Sequence, residues 1–133
     1  MTPPPPLRKP KLHFDTATSP SHVTFDDGKK LRRNIPWSVY VEACWNYDET
    51  DLIRVLIGDW LVLLRGHNLG PLFVAIEEQT LVRVRAYPEL ADDRERENDT
   101  FVIQLTFSQP PPKPLSGERL GQIEFDMNKP LQA

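Results

Sequence analysis

The clearest pattern of apolar and polar positions lies between residues 52 and 87. Two apolar runs, Leu52–Ile57 and Trp60–Arg65, are separated only by Gly58 and Asp59. Glycine in the first position of a two-residue loop favours a type II′ turn, which fixes the pairing of the two runs as antiparallel strands. Because side chains alternate along a strand, one face of this hairpin is wholly apolar. That face holds Ile53, Val55, Ile57, Trp60, Val62 and Leu64.

After the hairpin, the apolar spacing changes from that of a strand to that of a helix. Four large apolar residues follow at the spacing i, i+3, i+4 and i+7 of one helical face, namely Leu69, Leu72, Phe73 and Ile76. Asn68 is a residue type that caps helix N-termini. The pattern predicts a helix over Leu69–Gln79, capped by Asn68, with its apolar stripe on the apolar face of the hairpin.

Shorter alternating segments predict further strands on both sides of this unit. They are His22–Phe25, Lys29–Ile35, Trp37–Trp45, Leu81–Tyr87 and Phe101–Phe107, with one more short strand at Leu12–Phe14. In the longest of them, we expect the odd-numbered residues from Trp37 to Trp45 to share one face. We expect the same of the odd-numbered residues from Phe101 to Phe107.

These elements predict one α+β domain over residues 12–107, in the rough order β-β-β-β-β-α-β-β, which does not count the short segment Leu12–Phe14. We expect a mainly antiparallel, strongly bent sheet or a small open β-barrel, with one helix packed on it. Prolines concentrate at the two ends of the chain. We therefore expect residues 1–11 to form a disordered, Pro-rich tail. Residues 108–133 should be a Pro-rich linker and C-terminal tail that stays disordered or docks on the domain or a neighbour.

Composition narrows the classes of function. The formal net charge is −3, which does not favour general adhesion to nucleic acid. The single cysteine, Cys44, excludes an internal disulfide and suits a reducing compartment. The sequence lacks the run of about 18 apolar residues that predicts a membrane span, and its N-terminus lacks the apolar segment of a secretory signal. We therefore expect a cytoplasmic protein without membrane contact.

The sequence contains no constellation of residues typical of an enzyme. Its three histidines, His13, His22 and His67, lack metal-ligand spacing. Phosphate-binding, dinucleotide-binding and nucleophile motifs are also missing. We therefore predict no catalytic residue, no metal and no cofactor, and a protein that is not an enzyme.

The loop before the predicted helix is a candidate ligand site. Gly66, His67, Asn68 and Gly70 lie between a strand and a helix start. Free backbone N–H groups and the positive end of the helix dipole favour anions at such a position. His67 can add a charge or a proton there. A structural interpretation explains the same residue types, with Gly66 turning the backbone and Asn68 capping the helix.

The second face of the hairpin is a candidate interaction surface, because it mixes leucine with arginine. Arginine and aromatic residues are enriched at interfaces, while scattered charge keeps a free surface soluble. The alternative is that other strands close over the leucines as a barrel or sandwich, with the arginines at the rim. If Leu81–Tyr87 joins the hairpin's sheet, this face comprises Arg54, Leu56, Leu61, Leu63, Arg65, Arg83, Arg85 and Tyr87.

Three hypotheses of function follow from these features. The first is a non-catalytic protein-interaction or assembly module that binds a protein partner or a second copy of itself through the arginine–leucine face. The second is a small-ligand or anion-binding regulatory domain centred on Gly66–Gly70. The third is nucleic-acid binding through the basic strand Lys29–Arg33, which the acidic net charge disfavours. The same cations also suit an edge strand that discourages pairing with other sheets.

Overall fold

The computed structural model describes residues 9–93 and 96–109. Their strands are β1 (Phe14–Thr16), β2 (His22–Asp26), β3 (Arg32–Pro36), β4 (Tyr40–Trp45), β5 (Leu52–Ile57), β6 (Trp60–His67), β7 (Leu81–Arg85) and β8 (Phe101–Ser108). The α-helix α1 spans Gly70–Glu77, and short 3-10 turns lie at Trp37–Val39 and Pro88–Leu90. The predictions for the two tails fall mainly on residues 1–8 and 110–133, which lie outside the described residues.

The strands form two four-stranded sheets around one core. The hairpin sheet has the order β4-β5-β6-β8, and the second sheet has the order β1-β7-β2-β3. All neighbouring strands are antiparallel except β2 and β7, which run parallel. The predicted α+β class is confirmed, since antiparallel pairs dominate and one helix packs against the core. The described strands do not close into a barrel.

The predicted hairpin and its register are confirmed. Ile57 pairs with Trp60 and Val55 pairs with Val62. Gly58 has a φ of +58°, the value that a type II′ turn requires at this position. The five aliphatic residues of the predicted apolar face belong to the buried core, and Trp60 packs against it. Each large side chain buried in this way contributes about 1.5–3 kcal/mol before the entropy of ordering is subtracted.

The helix packs its predicted stripe into the same core, but it starts differently from the prediction. Leu69, Leu72 and Ile76 are buried, and the Phe73 ring lies 5.6 Å from that of Trp45 on β4. The predicted cap is wrong, because the N-cap residue is Leu69 and no side chain caps the helix. Asn68 instead adopts a φ of +50° and donates its amide to the carbonyl oxygens of Glu97 and Asp99. The Asn68 side chain therefore binds the loop before β8 and is not available to cap the helix.

The predicted alternation from Trp37 to Trp45 is wrong in its first half. Residues Trp37–Val39 form a 3-10 turn after Pro36, and the register of β4 shifts between Tyr40 and Glu42. This bulge turns Val41 outward, where 65% of its surface is exposed. An extra residue in one strand of a pair shifts the alternation, so the side chains before it lie on the opposite face of the sheet from the one predicted.

A second bulge interrupts the predicted alternation from Phe101 to Phe107. Arg65 pairs with Gln104 and Gly66 pairs with Val102, so Ile103 is the extra residue. Phe101 and Val102 are consequently both buried, although they are adjacent in the sequence. The strands come unusually close here: a Cβ added to Gly66 would lie only 2.1 Å from the carbonyl oxygen of Phe101.

The N-terminal segment is attached to the start of β8 by a buried carboxylate. The Asp99 side chain is fully buried, and its Oδ1 accepts a hydrogen bond of 2.9 Å from the backbone N–H of Lys11. Its Oδ2 lies 2.9 Å from Nε2 of His13 and 3.6 Å from the guanidinium of Arg96. The backbone N–H of Thr100 donates to the carbonyl of Lys11. Lys11, predicted as the end of a disordered tail, is therefore hydrogen-bonded to the domain.

Candidate interaction surface

The outer face of the hairpin sheet presents leucines that the described residues leave partly exposed. Leu56 lies opposite Leu61, Leu63 lies opposite Arg54, and the side chains on this face point away from the core. Leu56, Leu61 and Leu63 are half-buried rather than covered, whereas Leu52 is buried. We call this surface the leucine face and define it by Leu52, Arg54, Leu56, Leu61, Leu63 and Arg65.

Both arginines of the leucine face are held by acidic residues of the loop between β4 and β5. Arg54 donates to the carboxylate of Glu49 at 2.9 Å, and Arg65 forms a short ion pair with Asp51. All four side chains are at least a third exposed, so each pair contributes roughly 0–1 kcal/mol. Their effect is mainly positional, because they hold the charges at the edge of an apolar centre.

The neighbouring strands extend this face with small and polar side chains. Thr106 and Ser108 of β8 lie opposite Leu63 and Leu61. On the other side, Cys44 of β4 lies opposite Arg54 and is exposed. Desolvation, followed by the hydrogen bond to the Glu42 carboxylate, raises the pKa of the Cys44 thiol. A thiol with a raised pKa is a weak nucleophile at neutral pH.

The structure separates the predicted interaction surface into two parts. The condition for one continuous surface, that Leu81–Tyr87 joins the hairpin sheet, is not met, because β7 pairs with β1 and β2 of the second sheet. The helix carries the chain from one sheet to the other, so Arg83, Arg85 and Tyr87 are not neighbours of the leucines. The predicted closure of other strands over the leucines is not seen among residues 9–93 and 96–109.

The arginines of β7 lie on the outer face of the second sheet, beside acidic side chains. Arg83 is next to Asp15, and Arg85 is next to Asp26 and lies 5.4 Å from the ring centroid of Tyr87. They border an open cleft of about 410 Å³. Opposite charges on adjacent strands attract each other, which accounts for this pattern on a solvated sheet face.

The loop Gly66–Gly70 is occupied by structural contacts. Gly66 lies directly against Phe101, the His67 ring stacks on the Phe101 ring at 5.0 Å, and Asn68 holds the loop before β8. The two clefts beside His67 are lined by Asp51 in one case and by Asp92, Asp93 and Glu97 in the other. These carboxylates oppose the binding of an anion. Anion binding at this loop stays a prediction.

The predicted basic strand is shorter than expected and does not present its cations on one face. Lys29 and Lys30 lie in the turn before β3, where the Asp27 carboxylate accepts hydrogen bonds from three successive backbone N–H groups. Those hydrogen bonds, led by the one from Lys29, lower the pKa of Asp27. Arg32 and Arg33 follow on opposite faces of β3. The cations are therefore dispersed around the turn, and nucleic-acid binding stays a prediction.

The described residues contain no group of three or more His, Cys, Asp or Glu side chains placed to hold a metal ion. Within the same residues, no helix has the length and apolar character needed to cross a lipid bilayer. Comparisons with protein-family models, with curated proteins and with solved structures found no match to this chain.

Proposed function

We propose that this domain is a non-catalytic assembly module that binds a second copy of itself through the leucine face. The observation that carries the proposal is the partial exposure of Leu56, Leu61 and Leu63 at the centre of one sheet face. An apolar centre with a polar rim is the usual arrangement of a protein interface. The proposal is specific to the hairpin sheet, since the outer face of the second sheet is dominated by charged and polar residues.

The charges around the leucines favour a second copy over a strongly acidic or basic partner. Arg54 and Arg65 are each paired with a carboxylate of the same chain. Among the residues of β4 and β8 that pair with β5 or β6, only Glu42, the partner of Leu56, carries a further charge. The rim therefore carries nearly equal numbers of positive and negative groups. Two copies of such a face meet without strong repulsion, and a twofold axis places each leucine cluster on its equivalent.

The size of the face predicts a weak dimer. Four strands spaced about 4.8 Å apart and about six residues long cover roughly 400 Å². Stable interfaces bury about 800 Å² on each partner, so this face alone supports reversible association. We expect a dissociation constant of about 10–100 μM, which belongs to a protein that assembles only when locally concentrated.

Replacing Leu61 and Leu63 together with glutamate should abolish self-association. Each substitution places a carboxylate at the apolar centre, and in a twofold dimer those charges would face one another in a desolvated interface. Analytical ultracentrifugation across the expected range of dissociation constants should show the native protein passing from monomer to dimer. The double variant should remain monomeric with an unchanged circular dichroism spectrum.

The matched control is Leu12→Glu, which changes the same residue type at a position that is 49% exposed and borders the outer face of the second sheet. It should dimerise like the native protein. A native protein that stays monomeric throughout the range, or a double variant that still dimerises, would refute the proposal. Alkylation of Cys44 gives a second readout, since dimerisation should slow its modification in the native protein but not in the double variant.

A further inference from the structure

A cleft of about 520 Å³ lies where the two sheets fail to join. Strand β3 forms one edge of the second sheet and β8 forms one edge of the hairpin sheet. Side chains from both edges line the cleft, together with the turn before β3 and Pro88. Its volume falls within the range of about 300–1,000 Å³ that small-molecule sites occupy.

The most unusual residue of this cleft is Arg33. It occupies the same face of β3 as Ile35, which is buried in the core. Its guanidinium carbon lies 3.6 Å from the ring centroid of Trp60 and 5.2 Å from that of Phe107. The two rings meet edge to face at 6.2 Å. Stacking on these rings holds the cation in a fixed position in a cleft lined by both apolar and polar side chains.

Within the part of the chain that the structure describes, the guanidinium of Arg33 has no counter-ion. Among residues 9–93 and 96–109, no side chain or backbone carbonyl accepts a hydrogen bond from it, and its Nε is buried without a partner. The acidic residue of the cleft, Asp27, has its Oδ1 engaged with three backbone N–H groups of the following turn. Lys29 adds a second positive charge to the lining. Aromatic stacking satisfies the flat face of a guanidinium but none of its N–H donors.

We propose that this cleft binds a small organic anion, made of a flat apolar body and one carboxylate or phosphate group. The anionic group pairs with the guanidinium of Arg33, which presents a planar set of donors suited to either oxyanion. The apolar body lies against Leu31, Ile103 and Phe107. The lining of this site includes no residue of the leucine face, although Thr106 of β8 borders both surfaces. The site adds ligand binding to a domain for which we propose self-association.

The test uses benzoate and phenyl phosphate as probes of the two anionic groups, with benzyl alcohol as the neutral analogue and inorganic phosphate as the anion without a body. Titrations followed by ¹H–¹⁵N NMR of the native protein should shift the side-chain N–H signals of Arg33 and Trp60. At least one aromatic anion should bind with a dissociation constant of about 1 mM, as expected for a ligand of this size. Benzyl alcohol and inorganic phosphate should bind more weakly, and the stronger of the two aromatic anions identifies the natural anionic group.

The matched variants are Arg33→Gln and Arg32→Gln, which remove the same charge from neighbouring positions of β3. Arg32 does not line the proposed site and instead borders the separate cleft on the outer face of the second sheet. The Arg32→Gln variant should therefore bind the probe like the native protein. Arg33→Gln should lose about tenfold in affinity. Equal losses in both variants, equal binding of benzyl alcohol, or shifts confined to other surfaces would overturn the proposal. If Arg33→Gln does not fold, the location of the shifts in the native protein decides the question: shifts at Arg33 and Trp60 support the proposal, and shifts confined to other surfaces overturn it.

Discussion

Replacing Gly66 with alanine should destabilise the domain by about 3 kcal/mol, because the added methyl group has no space. Its Cβ would lie 2.1 Å from the carbonyl oxygen of Phe101 and 2.8 Å from Cα of Val102. Both atoms belong to the backbone of β8, so the clash is relieved only if β6 and β8 separate locally. Chemical denaturation followed by circular dichroism should show this loss, and the melting temperature should fall by about 15 °C.

Gly70→Ala is the control for the same chemical change at a position with space. The added Cβ would meet only the ring of Trp45, at 3.7 Å. We expect a change in the free energy of unfolding of less than about 1 kcal/mol, part of it from the restriction that Pro71 places on the residue before it. A Gly66→Ala variant as stable as Gly70→Ala would show that β6 and β8 are not paired as described.

Replacing Asp99 with alanine should also cost about 3 kcal/mol, because it removes a fully buried acceptor that several groups share. The backbone N–H of Lys11 and the imidazole of His13 would both lose their partner, and water would have to enter to replace it. The first strand should then detach more readily from the rest of the second sheet. Urea denaturation and hydrogen exchange of the amides of residues 11–16 measure the two effects.

Asp15→Ala is the matched control, since Asp15 is an exposed aspartate on β1. Its removal should change the free energy of unfolding by less than about 0.5 kcal/mol. If Asp99→Ala were equally harmless, the buried carboxylate would not be what attaches the N-terminal segment. A double variant that also carries His13→Ala should lose less than the sum of the single changes, because the two residues contact each other.

The elements that could be predicted are those whose signals are local. The turn at Gly58 and Asp59 fixes the pairing of β5 and β6, and the spacing from Leu69 to Ile76 fixes the buried side of the helix. Both patterns need only neighbouring residues, so the register and the shared core followed from the sequence. The arrangement of the leucine face on this hairpin was predictable for the same reason.

The features that could not be predicted depend on residues far apart in the chain. The bulge at Ile103 reflects the close approach of Gly66, and the position of β7 reflects its pairing with β1 and β2. Asn68 has a typical capping side chain, but two carbonyl groups of a later loop compete for its amide. Tertiary contacts of this kind override a local preference, and the local sequence pattern does not reveal them.

The sequence contains one weak indication of the cleft at Arg33. Arg33 alternates with Ile35 in a strand, which places a cation at a position that faces the core. A buried-side arginine is unusual and calls for a partner. Its stacking partners, Trp60 and Phe107, come from two other strands, so only the assembled sheets bring the three side chains together.

The contact of the N-terminal segment with Asp99 and Thr100 has a consequence for synthesis of the protein on the ribosome. Residues 11–16 pair with β7 and with Thr100, the residue just before β8, which is the last described strand. The nascent N-terminal strand therefore has no pairing partner until nearly all of the domain is translated. The hairpin of β5 and β6 is free to form early, whereas final closure follows release of β8 from the exit tunnel, which makes completion of this fold a late event.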